Sequence, residues 1–195
     1  MNGGPWAMKR FAQLQVEKLE GQQRSIAEEI MKVSSVGLGG PYNPMLRSPL
    51  MAARLFNLLD YLRFNTSVSK RLNEFAILIQ ARLWTSQVEW YAHYPLAIKA
   101  GLAESVAADL KEGRRPVSMQ PDESVVYDFC MELTANHAVS DATFDRAKAM
   151  LGEQQVIDLT VLAGTYVTIA MLLAVAEEGV PEGNPLQLGP LPKTG

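Results

Sequence analysis

Apolar residues recur at three- and four-residue intervals along almost the whole chain, and no stretch alternates with the two-residue period of a half-buried strand. The pattern predicts an all-α fold of about eight or nine helices. A first amphipathic stretch runs from about Trp6 to Val33, broken near Gly21. The segment from Ser34 to Pro44 is too rich in glycine and proline to be anything but a shaped loop. Pro49 to Phe64 then reads as a helix burying Leu50, Leu55, Leu58, Leu59 and Leu62, and a second helix starts after Ser69, its expected N-cap, and ends near Arg82. The next helix ends at Gly101, a short one spans Leu102 to Glu112, and Arg114 to Pro121 is a connector. Asp122 is the expected cap of a helix reaching Asn136, and Ser140 of one reaching Leu151. Glu153 to Glu178 closes the helical part, and a tail with four prolines from Gly179 onward reads as a wrapping or disordered extension.

One segment, Val156 to Ala176, is long and apolar enough to span a bilayer. Asp158 near its start, the acidic pair Glu177–Glu178 after it, and the small residues Gly164, Thr165 and Thr168 favour a helix packed inside a protein or at a subunit interface. Composition agrees, with 48% hydrophobic and 20% charged residues in 195. A net charge of −3 without a basic run gives nucleic acid no purchase. Cys130 is the single cysteine, which excludes an intramolecular disulfide, a CxxC pair and a cysteine-rich zinc site. The start lacks an apolar signal core, so the expected location is cytoplasmic.

The densest chemistry lies between Trp84 and Pro95, where helical spacing sets Ser86, Glu89 and His93 on one face. A carboxylate one turn from an imidazole can orient it and tune its proton affinity. Pro95 follows, which predicts a kink beside His93. Trp84, Val88, Trp90, Tyr91 and Tyr94 give the helix apolar surface on nearly every side, so the pair is at least half-buried. Two readings stay open for it, a proton-transfer site and a structural hydrogen-bonded pair. His137 sits at a helix end, where capping suits it, and the two histidines have no metal-binding spacing. Glu74, inside the apolar run from Leu72 to Ile79, either points outward with Arg71 or reaches Arg82 or the next helix. Cys130 reads as a small core residue, and Tyr42 as part of a turn.

In order and spacing, Gly40-Pro-Tyr-Asn43, Ser48-Pro49, Arg71 to Leu78, Glu89-Trp-Tyr-Ala-His93, Ala97 to Leu102, Val139 to Phe144, Leu151-Gly152, Val156 to Leu159 and Gly164 to Tyr166 resemble the carboxymuconolactone decarboxylase family, within the alkylhydroperoxidase D-like superfamily. The resemblance covers roughly residues 39–181, leaving a helical extension at 1–38 and a Pro-rich tail at 182–195. It implies an alkylhydroperoxidase D-like helical domain assembled as a homotrimer or homohexamer. In the peroxidase branch a glutamate precedes a Cys-x-x-Cys pair by twelve residues, and a histidine follows the second cysteine by four. Here that spacing falls on Glu74, Ser86, Glu89 and His93, so both sulfurs are missing. Without a thiolate to attack an O–O bond or a thiol to resolve the product, a peroxidatic cycle is not expected, even if a family label suggests peroxiredoxin activity.

The resemblance instead implies a lyase that works without cofactor or metal, decarboxylating a small lactone or carboxylated substrate. Loss of carbon dioxide leaves a dienolate that must be stabilised and then protonated at carbon. In that scheme His93 gives or takes the proton, Glu89 orients it, and Glu74 closes the relay from the facing helix. By residue type, Arg82 or Arg47 could hold a substrate carboxylate, with Tyr42, Ser86 and Trp90 shaping the pocket. An isomerase, hydratase or lactone hydrolase on the same scaffold, or a non-catalytic oligomeric binding protein, are the alternatives.

Overall fold

A computed structural model describes residues 10–34 and 37–191. Among them there is no strand. The elements are a single 3-10 turn (Val16–Lys18), α1 (Gly21–Val33), the one-turn α2 (Tyr42–Met45), α3 (Pro49–Asp60), a π turn (Tyr61–Asn65), α4 (Lys70–Leu83), α5 (Gln87–Lys99), α6 (Glu104–Lys111), α7 (Pro121–Asn136) and α8 (Asp141–Ala176). The part of the first expected helix before Arg10 lies outside the described residues; from Arg10 to Glu20 the expected helix is absent, with only the Val16–Lys18 3-10 turn in its place, and from Gly21 it is present as α1.

The centre of the fold is α4, whose residues from Leu72 to Arg82 are all buried. Helices α5, α7 and α8 pack around it. Phe75, Ile77, Leu78 and Ile79 are fully enclosed there, and each such side chain contributes about 1.5–3 kcal/mol of burial. Three residues join α4 to α5. Thr85 among them takes a left-handed conformation (φ 50°), which a β-branched residue adopts only at a cost of about 1–3 kcal/mol. This tight reversal turns α5 back along α4, and that sets the site described below.

Several ends follow the sequence. Ser140 accepts from the Thr143 N–H at the start of α8, Gly101 closes α5 with φ +99°, and His137 is the left-handed C-cap of α7 (φ 55°). Asp122 does not cap α7. The helix begins two residues earlier, with Gln120 as its N-cap in a capping box with Glu123, so Asp122 stands inside the first turn, where its carboxylate accepts from the Glu123 N–H at 2.9 Å and from Arg71 at 2.7 Å. Pro95 lies inside α5, which continues through it to Lys99 although proline supplies no N–H to the ladder. On the α3 side Leu59 is buried, as is Leu62 in the π turn, whereas Leu50 and Leu58, also expected inside, are exposed.

The two helices expected on either side of Gly152 form one run, interrupted only by that glycine (φ 78°, ψ 167°). Its apolar window meets the length and hydropathy of a membrane span, but half of that window is buried inside the protein, against α4, α7 and α2. The described part of the N-terminal extension packs on its own chain, with Ala27 and Ile30 fully buried and Arg10 reaching the Val175 carbonyl and Glu177. The tail wraps back as well. Gln87 accepts from the N–H groups of Gln187 and Leu188 and donates to the Leu188 carbonyl.

Candidate functional site

The turn at Thr85 places His93 of α5 opposite Glu74 of α4. Their side chains meet at 2.7 Å, His93 Nδ1 to Glu74 Oε2, and both are buried. Lys70, one turn before Glu74, reaches its other oxygen at 2.7 Å with the ammonium partly in solvent. Burial pushes the Glu74 carboxyl up, but His93 and Lys70 more than offset it and hold it down at about 2. Burial lowers the His93 pKa below its ordinary value, and the cations Arg63 and Lys70 act in the same direction, against the pull of Glu74. His93 is therefore neutral near pH 7. Its Nδ1–H donates to the Glu74 carboxylate, which leaves Nε2 as an unprotonated acceptor.

Glu89 has a different role from the one its spacing suggests. It shares a face with His93, yet the imidazole is oriented by Glu74 rather than by Glu89. The Glu89 carboxyl is 2% exposed, and neither oxygen makes a well-formed hydrogen bond. Burial pushes it up to about 8, with the nearby Ser86 hydroxyl pulling only weakly the other way. At neutral pH it is a carboxylic acid, able to give a proton.

Glu89 and His93 wall one cavity of about 100 Å³, open to the surface beside the exposed Val33 and lined also by Tyr42, Arg63, Tyr166 and apolar side chains from α3, α5 and α8. That is smaller than the ~150 Å³ cavity that holds benzene in an engineered protein interior. The Tyr166 ring meets His93 edge-on at 5.1 Å, and burial raises its phenol well above the ordinary value, so it too is neutral. The cavity thus contains a neutral acid, a neutral base and two phenols, with the Glu74–Lys70 pair behind the imidazole.

Of the other residues singled out from sequence, only Tyr42 lines this cavity. Ser86 is the N-cap of α5 and faces a neighbouring cleft beside Trp84 and Leu173. Trp90 is buried, stacked on Tyr94 with centroids 6.1 Å apart. Arg82 is enclosed at the end of α4, its pKa lowered by burial, and Arg47 turns to the Ala12 carbonyl and the Phe11 ring. Neither arginine faces the cavity. Arg63 does, and sequence reasoning missed it because the π turn that presents it leaves no mark on the apolar periodicity. Cys130 lies on α7 with its thiol fully buried and pushed up to about 12, away from the cavity wall. Among the described residues, no three of His, Cys, Asp and Glu lie close enough to hold a metal ion.

No family model and no curated protein matches this sequence. The fold does have a match. A crystal structure of an alkylhydroperoxidase AhpD core, named as an uncharacterized peroxidase-related protein from Ralstonia eutropha JMP134, superposes with a TM-score of 0.73 over 94% of this chain and 97% of that one. The identity is 14%. The chain therefore has the all-α, alkylhydroperoxidase D-like fold. At that identity the likeness extends to the fold alone and does not select a decarboxylase or a peroxidase branch.

Proposed function

We propose that this protein is a cofactor-independent acid–base enzyme, a decarboxylase-like lyase acting on a small lactone or carboxylated substrate. The observation that supports this most directly is the pairing of Glu89 and His93 on the wall of one small cavity, with no thiol beside them. Carbon dioxide leaves the substrate, and the electron pair passes through the conjugated system to a carbonyl oxygen. The phenols of Tyr42 and Tyr166 are available to that oxygen. Glu89 then gives its proton to carbon, and the carboxylate left behind in an apolar wall is driven to take a proton back. His93 Nε2 accepts and relays protons, and Glu74 holds the ring and stabilises its cationic form.

The peroxidase-related name of the structural neighbour fits this chain poorly, because the sulfur chemistry has no reactive thiol to start from. The test is carbon dioxide release from 4-carboxymuconolactone. Wild type should release it, while His93→Ala and Glu89→Gln should lose turnover and keep their helical circular dichroism. Full activity in His93→Ala, or no carbon dioxide from the wild type, would sink the reading.

We also propose that the active form is a homotrimer or homohexamer. Ile157, Val161, Gly164, Thr168, Met171 and Val175 form an exposed stripe on α8, spaced alternately by four and three residues as in a helix–helix seam. The stripe is about 27 Å long at ~1.5 Å per residue, and its self-similar spacing suits a second copy of the same helix.

A further inference from the structure

The π turn is held on all sides. Asp158 of α8 accepts from the Tyr61 hydroxyl, the Thr66 and Ser67 hydroxyls and the Ser67 N–H, at 2.8–3.2 Å. Asn73 donates to the Leu62 carbonyl at 2.7 Å, and Lys70 donates to the Arg63 carbonyl at 3.3 Å. Single π turns carry a geometric cost and concentrate at functional sites, where they redirect one side chain. Here the redirected side chain is Arg63, which lines the cavity across from His93.

Three observations make Arg63 unusual. Among the described residues it is the only lysine or arginine lining this cavity. Its Nε is buried without a hydrogen-bond partner, and no carboxylate of the described residues pairs with it; its guanidinium instead rests 4.9 Å over the Phe64 ring. The remaining cavity groups carry no compensating charge, since Glu89 is protonated and Glu74 is already matched by Lys70. A half-buried guanidinium with an orphaned donor is costly unless something anionic completes it.

We propose that Arg63 is an anion anchor, so that the site takes small organic carboxylates, one carboxylate group to the one cavity cation. This rests on the acid–base reading of the same cavity and specifies its substrate class. Guanidinium matches a carboxylate through two parallel N–H donors, which fixes orientation as well as charge. The anchored group is the carboxylate that the substrate retains. An ion pair to a departing carboxylate would stabilise the ground state and slow its loss, whereas the apolar wall beside Glu89 offers a departing group no such stabilisation. The enclosed volume takes one end of a small ring or a short unsaturated chain, and the rest of the ligand extends through the opening beside Val33.

The experiment is calorimetric titration of the full chain with acetate, crotonate and benzoate, each against its amide. At least one acid should bind the wild type and its amide should not. Arg63→Gln should weaken that binding at least tenfold, with Arg63→Lys in between. Since the chain has two histidines, His93 can be followed by ring NMR in a His137→Gln background. Carboxylate binding should raise the His93 titration midpoint in wild type and leave it unmoved in Arg63→Gln, a ligand-dependent shift that a merely structural arginine would not produce. Unchanged carboxylate binding in Arg63→Gln overturns the proposal. So does equal binding of the amides, or the absence of any carboxylate binding to folded wild type. Carboxylate binding that survives in Glu89→Gln, in a protein that releases no carbon dioxide, would leave the anchor standing and remove only the lyase.

Discussion

Replacing Glu89 by glutamine keeps the size of the side chain and removes its ionisation, so it measures what burying this carboxyl costs. The group titrates near 4.5 in the open and is pushed up to about 8 when folded. Between those values the folded chain binds one more proton than the unfolded chain, so stability falls as pH rises through that window. The slope is about 1.4 kcal/mol per pH unit for one proton. At pH 5 folding then costs less than about 1 kcal/mol through this group, and at pH 7 about 3 kcal/mol. Glutamine carries neither cost. Its second amide N–H has no evident acceptor in the same wall, a penalty of about 1–3 kcal/mol that does not change with pH. The diagnostic quantity is therefore the pH dependence of the difference. Relative to wild type, Glu89→Gln should gain about 2.5 kcal/mol between pH 5 and pH 7, about 5–10 °C of melting temperature for a domain of this size. Thermal melts of both proteins at the two pH values read it directly. A stability difference that is constant with pH would show that Glu89 ionises freely when folded, and the assignment of a resident carboxylic acid would fall with it.

Three further outcomes are expected. The pH profile of kcat/KM should fall on the alkaline side near 8, where Glu89 loses its proton, and on the acid side below the ordinary histidine value, where His93 gains one; a profile flat across pH 5–9 contradicts the pairing. Asp158→Ala leaves the donors of Tyr61, Thr66 and Ser67 without their acceptor and should cost about 2–4 kcal/mol in urea unfolding, with weaker carboxylate binding through a loosened Arg63; an unaltered denaturation midpoint would show that the staple carries no load. Met171→Glu, in the middle of the exposed α8 stripe, should reduce the mass seen by light scattering without altering helical content, and an unchanged mass would place the subunit interface elsewhere.

Helix periodicity alone locates α1 and α3 to α8, because each has a continuous face to bury and most end at residues with a stated physical role, such as Ser140 and Gly101. The failures share one cause, which is dependence on distant partners. Asp122 looks like a cap, but α7 starts ahead of it at Pro121, and its carboxylate is shared between the Glu123 N–H and Arg71, 51 residues away in sequence. The π turn adds nothing to the local pattern and is held by Asp158, 92 residues beyond Thr66. Hence Arg63 could not be told from Arg47 or Arg82 by residue type. The convergence of Glu74 and His93 was accessible through the resemblance, but their pairing depends on the reversal at Thr85, which no motif announces.

The exchange of roles between the two glutamates bears on how one fold can host unlike chemistries. Glu74, His93 and Lys70 form a charge-matched support whose job is to hold an imidazole with one nitrogen free. That support is indifferent to what stands beside the free nitrogen. A thiol at the position of Glu89 would be placed where a neighbouring base could ionise it, and the site would then be poised for redox work. A carboxyl at the same position, in the same apolar wall, is pushed toward its protonated form and becomes a proton donor instead. Ser86 and Glu89 stand where the resemblance places sulfur, and on the proposed reading the buried carboxyl of Glu89 supplies a proton donor where a thiol would supply a nucleophile.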